Sequence, residues 1–199
     1  QPHADLERKL ADFVGAESAL LFSTGYMANL AVPPAFLGRN DVLIQDRLNH
    51  ASLIDAAALC RATLRRYPHR DTKQARAMLL QRGTGHAMIA TDGVFSMDGT
   101  IAPVPDLASL ANECDALLLV DDAHGFGVLG QHGRGTLDHF SVRPTGNVLT
   151  LGTLSKAAGA FGAFVAGDAV LIEHNDGGPR MGFERAARVR TLRTKAWRM

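Results

Sequence analysis

Residues 117–130 read "LLLVDDAHGFGVLG". An apolar run ends in two aspartates and a histidine, and Gly125, Gly127 and Gly130 follow in the spacing G-x-G-x-x-G. Two readings compete. The glycines could form a dinucleotide-binding loop, or the acids and the histidine just before them could carry the chemistry. A dinucleotide fold needs the glycines to make the strand-to-helix turn themselves, with an acid about 20 residues on that ends the next strand. Here "DDAH" separates strand from glycine. "QHGRGT" after Gly130 is too glycine-rich to open a helix, and the next apolar run, "NVLTLG" (147–152), ends without an acid. The glycines are therefore read as a tight turn away from the sheet, and Asp121 and His124 as the residues of interest.

Outward from this stretch, helical and strand patterns alternate. Apolar residues at helical spacing mark 3–14, and 25–38 reads as a helix interrupted by Pro33 and Pro34. Further helices are expected at 51–61, with Ser52 or Asn49 as cap, at 71–82 capped by Asp71, and at 103–114 with prolines at its start. Short apolar runs at 19–24, 41–46, 62–67, 87–92, 116–121, 147–152 and 162–167 read as strands. Strands separated by helices of about a dozen residues predict an α/β fold, a parallel sheet covered on both faces. Ligands of such sheets sit at the carboxyl ends of the strands. That directs attention to 23–26, His50, 92–96, 121–124 and 153–156.

Bulk composition narrows the class. The chain has 199 residues, 46% hydrophobic and 21% charged, the profile of a globular domain. No apolar run approaches the roughly 20 residues that span a bilayer, so no membrane association is expected. The opening "QPHADLERKL" reads as an amphipathic helix rather than a secretory leader, which suggests a start inside a longer protein. Cys60 and Cys114 lack metal-ligand spacing and read as free thiols of a reducing compartment, the cytoplasm. Asp121, Asp122, His124, His132 and His139 are suitable residue types for a metal, but their spacing matches no familiar zinc pattern, and no metal is expected. Residues 1–174 carry 14 Lys/Arg against 18 Asp/Glu, whereas residues 175–199 carry 7 against 2. That basic tail has no aromatic interleaving, so it reads as an atypical terminus and not as a nucleic-acid site.

"TLSKAAGAFG" (153–162) follows a strand directly. A lysine there, among small residues, would be partly desolvated. Burial disfavours the ammonium and favours a nucleophilic amine. A lysine at one strand end and an aspartate at a neighbouring one suit pyridoxal phosphate, which needs an amine for its aldehyde and an acid opposite its ring nitrogen. "STGYMAN" (23–29) offers hydroxyls and backbone N–H groups at a helix N-terminus for the phosphate.

Together "STGYMAN", "NHAS", "DGVFSMDG", "VDDAHGFGVLG" with a following "GRG", and "GTLSKAAGAFGAFVAG" resemble the α-oxoamine synthases, a branch of the fold-type-I pyridoxal phosphate enzymes. The resemblance spans about residues 2–174. It implies the large cofactor-binding domain of the aspartate-aminotransferase-like fold, incomplete here, with the small C-terminal domain missing. It also implies pyridoxal 5'-phosphate held as a Schiff base on Lys156. Asp121 would keep the ring nitrogen protonated, His124 would bond the phenolic oxygen, and His50 would stack on the ring. Gly25 and Tyr26 would give N–H groups to the phosphate, Thr153 and Ser96 would bond the cofactor through their hydroxyls, and Asp92 would stand near the ring. Asp122 reads as structural. Within the branch, "DDAHGFGVLG" is most similar to the member that condenses L-alanine with a pimeloyl thioester, carried by coenzyme A or a carrier protein, as a homodimer in biotin synthesis. A related acyltransferase using glycine or serine, and a non-catalytic remnant, are the alternatives.

Overall fold

The computed structural model describes residues 2–175, and the basic tail from residue 176 onward lies outside the described residues. A seven-stranded sheet forms the frame: β1 (Ser18–Phe22), β2 (Val42–Asp46), β3 (Thr63–Tyr67), β4 (Ala87–Asp92), β5 (Leu117–Asp121), β6 (Val148–Thr153) and β7 (Ala163–Gly167). Their order is β1-β7-β6-β5-β4-β2-β3. The five strands from β6 to β3 are parallel, while β7 runs antiparallel to β6 and to β1. The expectation of a mostly parallel sheet holds, with one reversed strand, β7, lying between β6 and the edge strand β1.

The central strand shows why "LLLV" is apolar throughout. Leu118 and Val120 face one side, with Ile44, Tyr67 and Ile89, under α4 (Thr72–Leu80) and α5 (Val104–Glu113). Leu117 and Leu119 face the other, with Leu43, Met88 and Leu149, under α2 (Gly25–Phe36) and α3 (Ala51–Leu59). A strand covered on both faces cannot alternate apolar with polar residues. A smaller cluster seats α1 (Pro2–Val14) on the β1–β7 edge through Leu10, Phe126 and Phe164.

Two local expectations are corrected. Pro33 and Pro34 do not interrupt α2, which continues through them to Phe36. Proline's fixed φ near −65° is helical. Each proline gives up only its own bond, to the Asn29 and Leu30 carbonyls, and the helix ends at Phe36 soon after. The buried Ala28, Val32, Pro33 and Phe36 hold that stretch against the core. The cap of α3 is neither Ser52 nor Asn49 but His50, whose ring accepts a hydrogen bond from the Ser52 N–H. Asn49 instead donates to the Ala90 carbonyl and accepts from the Asp92 N–H, tying the start of α3 to β4. Asp71 caps α4 as expected, accepting from the Gln74 N–H.

Candidate active site

Three parallel strands, β4, β5 and β6, end side by side in Asp92, Asp121 and Thr153. Asp92 and Asp121 are register partners and both are buried. Over these ends open the first turns of α2 and α3 and the loop after β6, enclosing one cavity. Gly25, Tyr26, His50, Asp92, Asp121 and Thr153 line it, together with His124 and Lys156. Eight of the nine residues singled out from the sequence therefore converge. The exception is Ser96, which is exposed in the turn joined by the Val94–Ile101 bridge and does not line the cavity.

The G-x-G-x-x-G segment is a folded loop, not a helix start. Gly127 has φ +81°, and a side chain there would also press on Ala157, next to Lys156. A Cβ at Gly125 would overlap the Asp122 carboxylate. Phe126 between them packs edge-on against Phe13 and Phe164. The glycines let the loop fold close, Phe126 pins it to the core, and His124 is thereby set beside the cavity. Asp122 faces away from the cavity, accepting from the backbone N–H and the hydroxyl of Thr136.

Lys156 Nζ lies 2.8 Å from His124 Nε2. A hydrogen bond between two nitrogens requires a lone pair on one of them, so at most one of the two can be fully protonated there. Burial, then the neighbouring Lys156, pushes the His124 imidazolium down from its ordinary value. His124 is thus the neutral member and accepts from the lysine. Burial also lowers the Lys156 ammonium, opposed by the charges of Asp121 and Asp92. The amine is still accessible at the cavity mouth.

Asp121 is held by two donors: the Ala123 N–H on one oxygen and the Asn29 amide on the other. Asp92 accepts from the His50 backbone N–H. Burial, then repulsion from Asp121, raises Asp92 to about 7. Burial raises Asp122 to about 7 as well, against its two hydrogen bonds from Thr136. Both groups bind a proton more tightly folded than unfolded. Their contribution is fully present below about pH 4 and is lost as pH rises through about 7. The unfolding free energy of the chain should therefore fall across that window, by up to about 1.4 kcal/mol per pH unit for each such group. Denaturant titrations at pH 4.5, 6 and 8 check this, and Asp92→Asn should flatten the slope. A stability that rises with pH over the window would contradict it.

Asn29, Ser52 and Ser155 also line the cavity and were not singled out as site residues. Asn29 could have been found: it lies four residues after Gly25, one turn up the same face of α2. Among the described residues no group of three or more His, Cys, Asp or Glu is arranged to hold a metal ion.

Comparison with known proteins fits this geometry. Residues 1–180 match the family Aminotransferase class I and II. The chain belongs to that family. Among curated members of similar sequence, the 8-amino-7-oxononanoate synthase of Dechloromonas aromatica is 52% identical over 176 residues, covering 87% of this chain and 46% of that protein. That of Alkalilimnicola ehrlichii is 55% identical over 172 residues, covering 86% and 44%. The chain thus spans less than half the length of these relatives. Similar solved structures include a serine palmitoyltransferase from S. paucimobilis with a bound PLP–myriocin aldimine, at TM-score 0.81 and 32% identity, covering 87% of this chain and 44% of that one. The 8-amino-7-oxononanoate synthase of Francisella tularensis superposes at TM-score 0.75 and 33% identity, covering 87% and 50%. Among the described residues no helix is long and apolar enough to cross a membrane.

Proposed function

We propose that this chain is the cofactor-binding part of a pyridoxal phosphate-dependent acyltransferase that joins L-alanine to a pimeloyl thioester, with loss of carbon dioxide, to give 8-amino-7-oxononanoate. The observation that carries the reading is an accessible, partly desolvated Lys156 bonded to a neutral His124, above two adjacent buried carboxylates. The donor set fits the cofactor. Asp92 and Asp121 sit side by side with burial raising Asp92, so a cationic ring nitrogen is the kind of group that would relieve them. The first-turn N–H groups of Gly25 and Tyr26 have no intrahelical acceptor and suit a phosphate.

When bound, pyridoxal phosphate supplies an aldehyde for amines and a ring that withdraws electrons from the amino-acid Cα. This chain's residues would do the rest. Lys156 would hold the cofactor's aldehyde through Nζ, and the same atom, when free, would be placed to take the proton from the amino-acid Cα. Asp121 would accept a charge-assisted hydrogen bond from the ring nitrogen. Asp92 would support it, and His124 would bond the phenolic oxygen. His50 would lend its ring face, while Thr153 and Ser96 would contribute hydroxyls. Ser96 would have to move from its exposed position to do so.

A homodimer goes with this reading. Met97 and Phe161 are 95% and 96% exposed, and Tyr26, Met27 and Val128 add apolar surface. Side chains of that kind are commonly covered by another chain. A cytoplasmic location goes with it too, with Cys60 and Cys114 as free thiols. The acyl group would arrive on coenzyme A or a carrier protein.

The test is turnover by the chain supplied with pyridoxal phosphate. L-Alanine with a pimeloyl thioester should give the amino ketone, and glycine or serine with other thioesters a small fraction of that rate. Preference for glycine or serine would replace the substrate assignment with that of a related acyltransferase. Cofactor binding without any turnover would favour a non-catalytic remnant.

A further inference from the structure

Four side chains form a continuous hydrogen-bonded line from the floor of the cavity to its wall. Asn29 Nδ2 donates to Asp121 Oδ2 and, at 2.8 Å, to Ser52 Oγ. Ser52 Oγ lies 2.7 Å from His50 Nδ1. The Ser52 backbone N–H also points at His50 Nδ1, at 3.2 Å. Asn29 and Ser52 are each 1% exposed.

The proton on every link follows from elementary bonding. An ionised carboxylate only accepts, so the Asn29 group facing Asp121 must be the NH2 and not the oxygen. Its two hydrogens are then both engaged, one on Asp121 and one on Ser52. This leaves Asn29 Oδ1 buried without a partner, which would be an odd choice of orientation if Asp121 did not impose it. Ser52 Oγ accepts from Asn29, so its own hydrogen is free for His50. A backbone N–H can only donate, so His50 Nδ1 must present a lone pair to the Ser52 amide. Both donors meet at that lone pair. The imidazole proton therefore resides on Nε2.

The backbone of the same histidine is fixed independently, its N–H donating to the Asp92 carboxylate at 3.1 Å. His50 is thus held from two sides, its main chain by one acid of the cavity and its ring, through two intermediaries, by the other.

We infer that Asn29 and Ser52 are positioning residues that lock His50 as the neutral Nε2–H tautomer and link its ring to the Asp121 carboxylate. The role deepens the proposed function, because the fixed ring is the one read as stacking on the cofactor. A neutral imidazole there adds no second cation beside Lys156. A ring pinned at Nδ1 cannot flip, so it keeps one face and one N–H available to whatever the cavity holds.

Nitrogen-15 NMR of the histidine rings, recorded on the chain without cofactor, tests this at neutral pH, with the His50 signal assigned from its loss in His50→Gln. The expected spectrum shows His50 predominantly protonated at Nε2. Ser52→Ala should raise the Nδ1–H share about fivefold, the equivalent of one hydrogen bond of about 1 kcal/mol, and Ser52→Thr should restore the original ratio. A role limited to packing would change the melting temperature and leave the ratio alone. A His50 protonated mainly at Nδ1, or a ratio that Ser52→Ala does not move, would overturn the inference. The cofactor reading is tested separately: an Nε2–H His50 in a chain that never fixes pyridoxal phosphate on Lys156 would retain the positioning pair and discard the cofactor.

Discussion

Lys156→Ala is expected to abolish covalent capture of pyridoxal phosphate. The visible absorption band that forms with the purified chain should be missing, and borohydride should fix no label. The reason is local. The chain has four lysines, Lys9, Lys73, Lys156 and Lys195, and among the described residues Lys156 is the one that lines the cavity at the ends of β4, β5 and β6. Lys156 is also the lysine whose ammonium burial pushes down, which raises the share of free amine. Some non-covalent binding should persist, since Asp121 and the start of α2 are untouched. The substitution also removes a cation that offsets Asp92 and Asp121. The variant should therefore hold a proton on Asp92 to higher pH than the unaltered chain does. Equal labelling of the variant and the unaltered chain would move the covalent site elsewhere.

Asp121→Asn should lower cofactor affinity by about 100-fold, the cost of truncating one member of a buried charge-assisted pair. The shape of the side chain is kept, so a loss of this size would come from charge and not from a cavity. The amide would also meet Asn29, whose NH2 now faces a group that can no longer accept on both atoms. Equilibrium titration of the visible band measures the effect. The sign on stability is opposite. Removing one of two adjacent buried carboxylates should relieve Asp92, so the cofactor-free variant should gain stability above pH 7 relative to the unaltered chain. A variant that binds as tightly as the unaltered chain would mean that Asp121 does not face the ring.

Much of this was legible because β5 is buried on both faces. An uninterrupted "LLLV" between helices can only be an interior strand of such a sheet, and the residue that ends it must lie at the ligand edge. The same logic located Asp92, Thr153 and, one loop later, Lys156. Features that depend on side-chain geometry were not legible. Pro33 and Pro34 look like a break in sequence, yet the buried face of α2 carries the helix past them. His50 as a cap depends on a ring nitrogen meeting the Ser52 N–H, which residue type alone does not announce. Asn29 was in plain view within "STGYMAN", but its link to Asp121 joins residues 92 positions apart. Ser96 shows the converse. Its motif pointed to the site, and the turn closed by Val94 and Ile101 places it outside the cavity. The glycines of 125–130 were read correctly as a turn, but the sequence did not show that Phe126 anchors that turn to Phe164.

The central claim is that Lys156 is the amine that holds pyridoxal phosphate. Incubating the purified chain with the cofactor, reducing with borohydride and mapping the modified peptide by mass spectrometry tests it most directly. The label is predicted on Lys156 alone, at up to one per chain. A label on Lys9, Lys73 or Lys195 instead, or no label at all, would contradict the account.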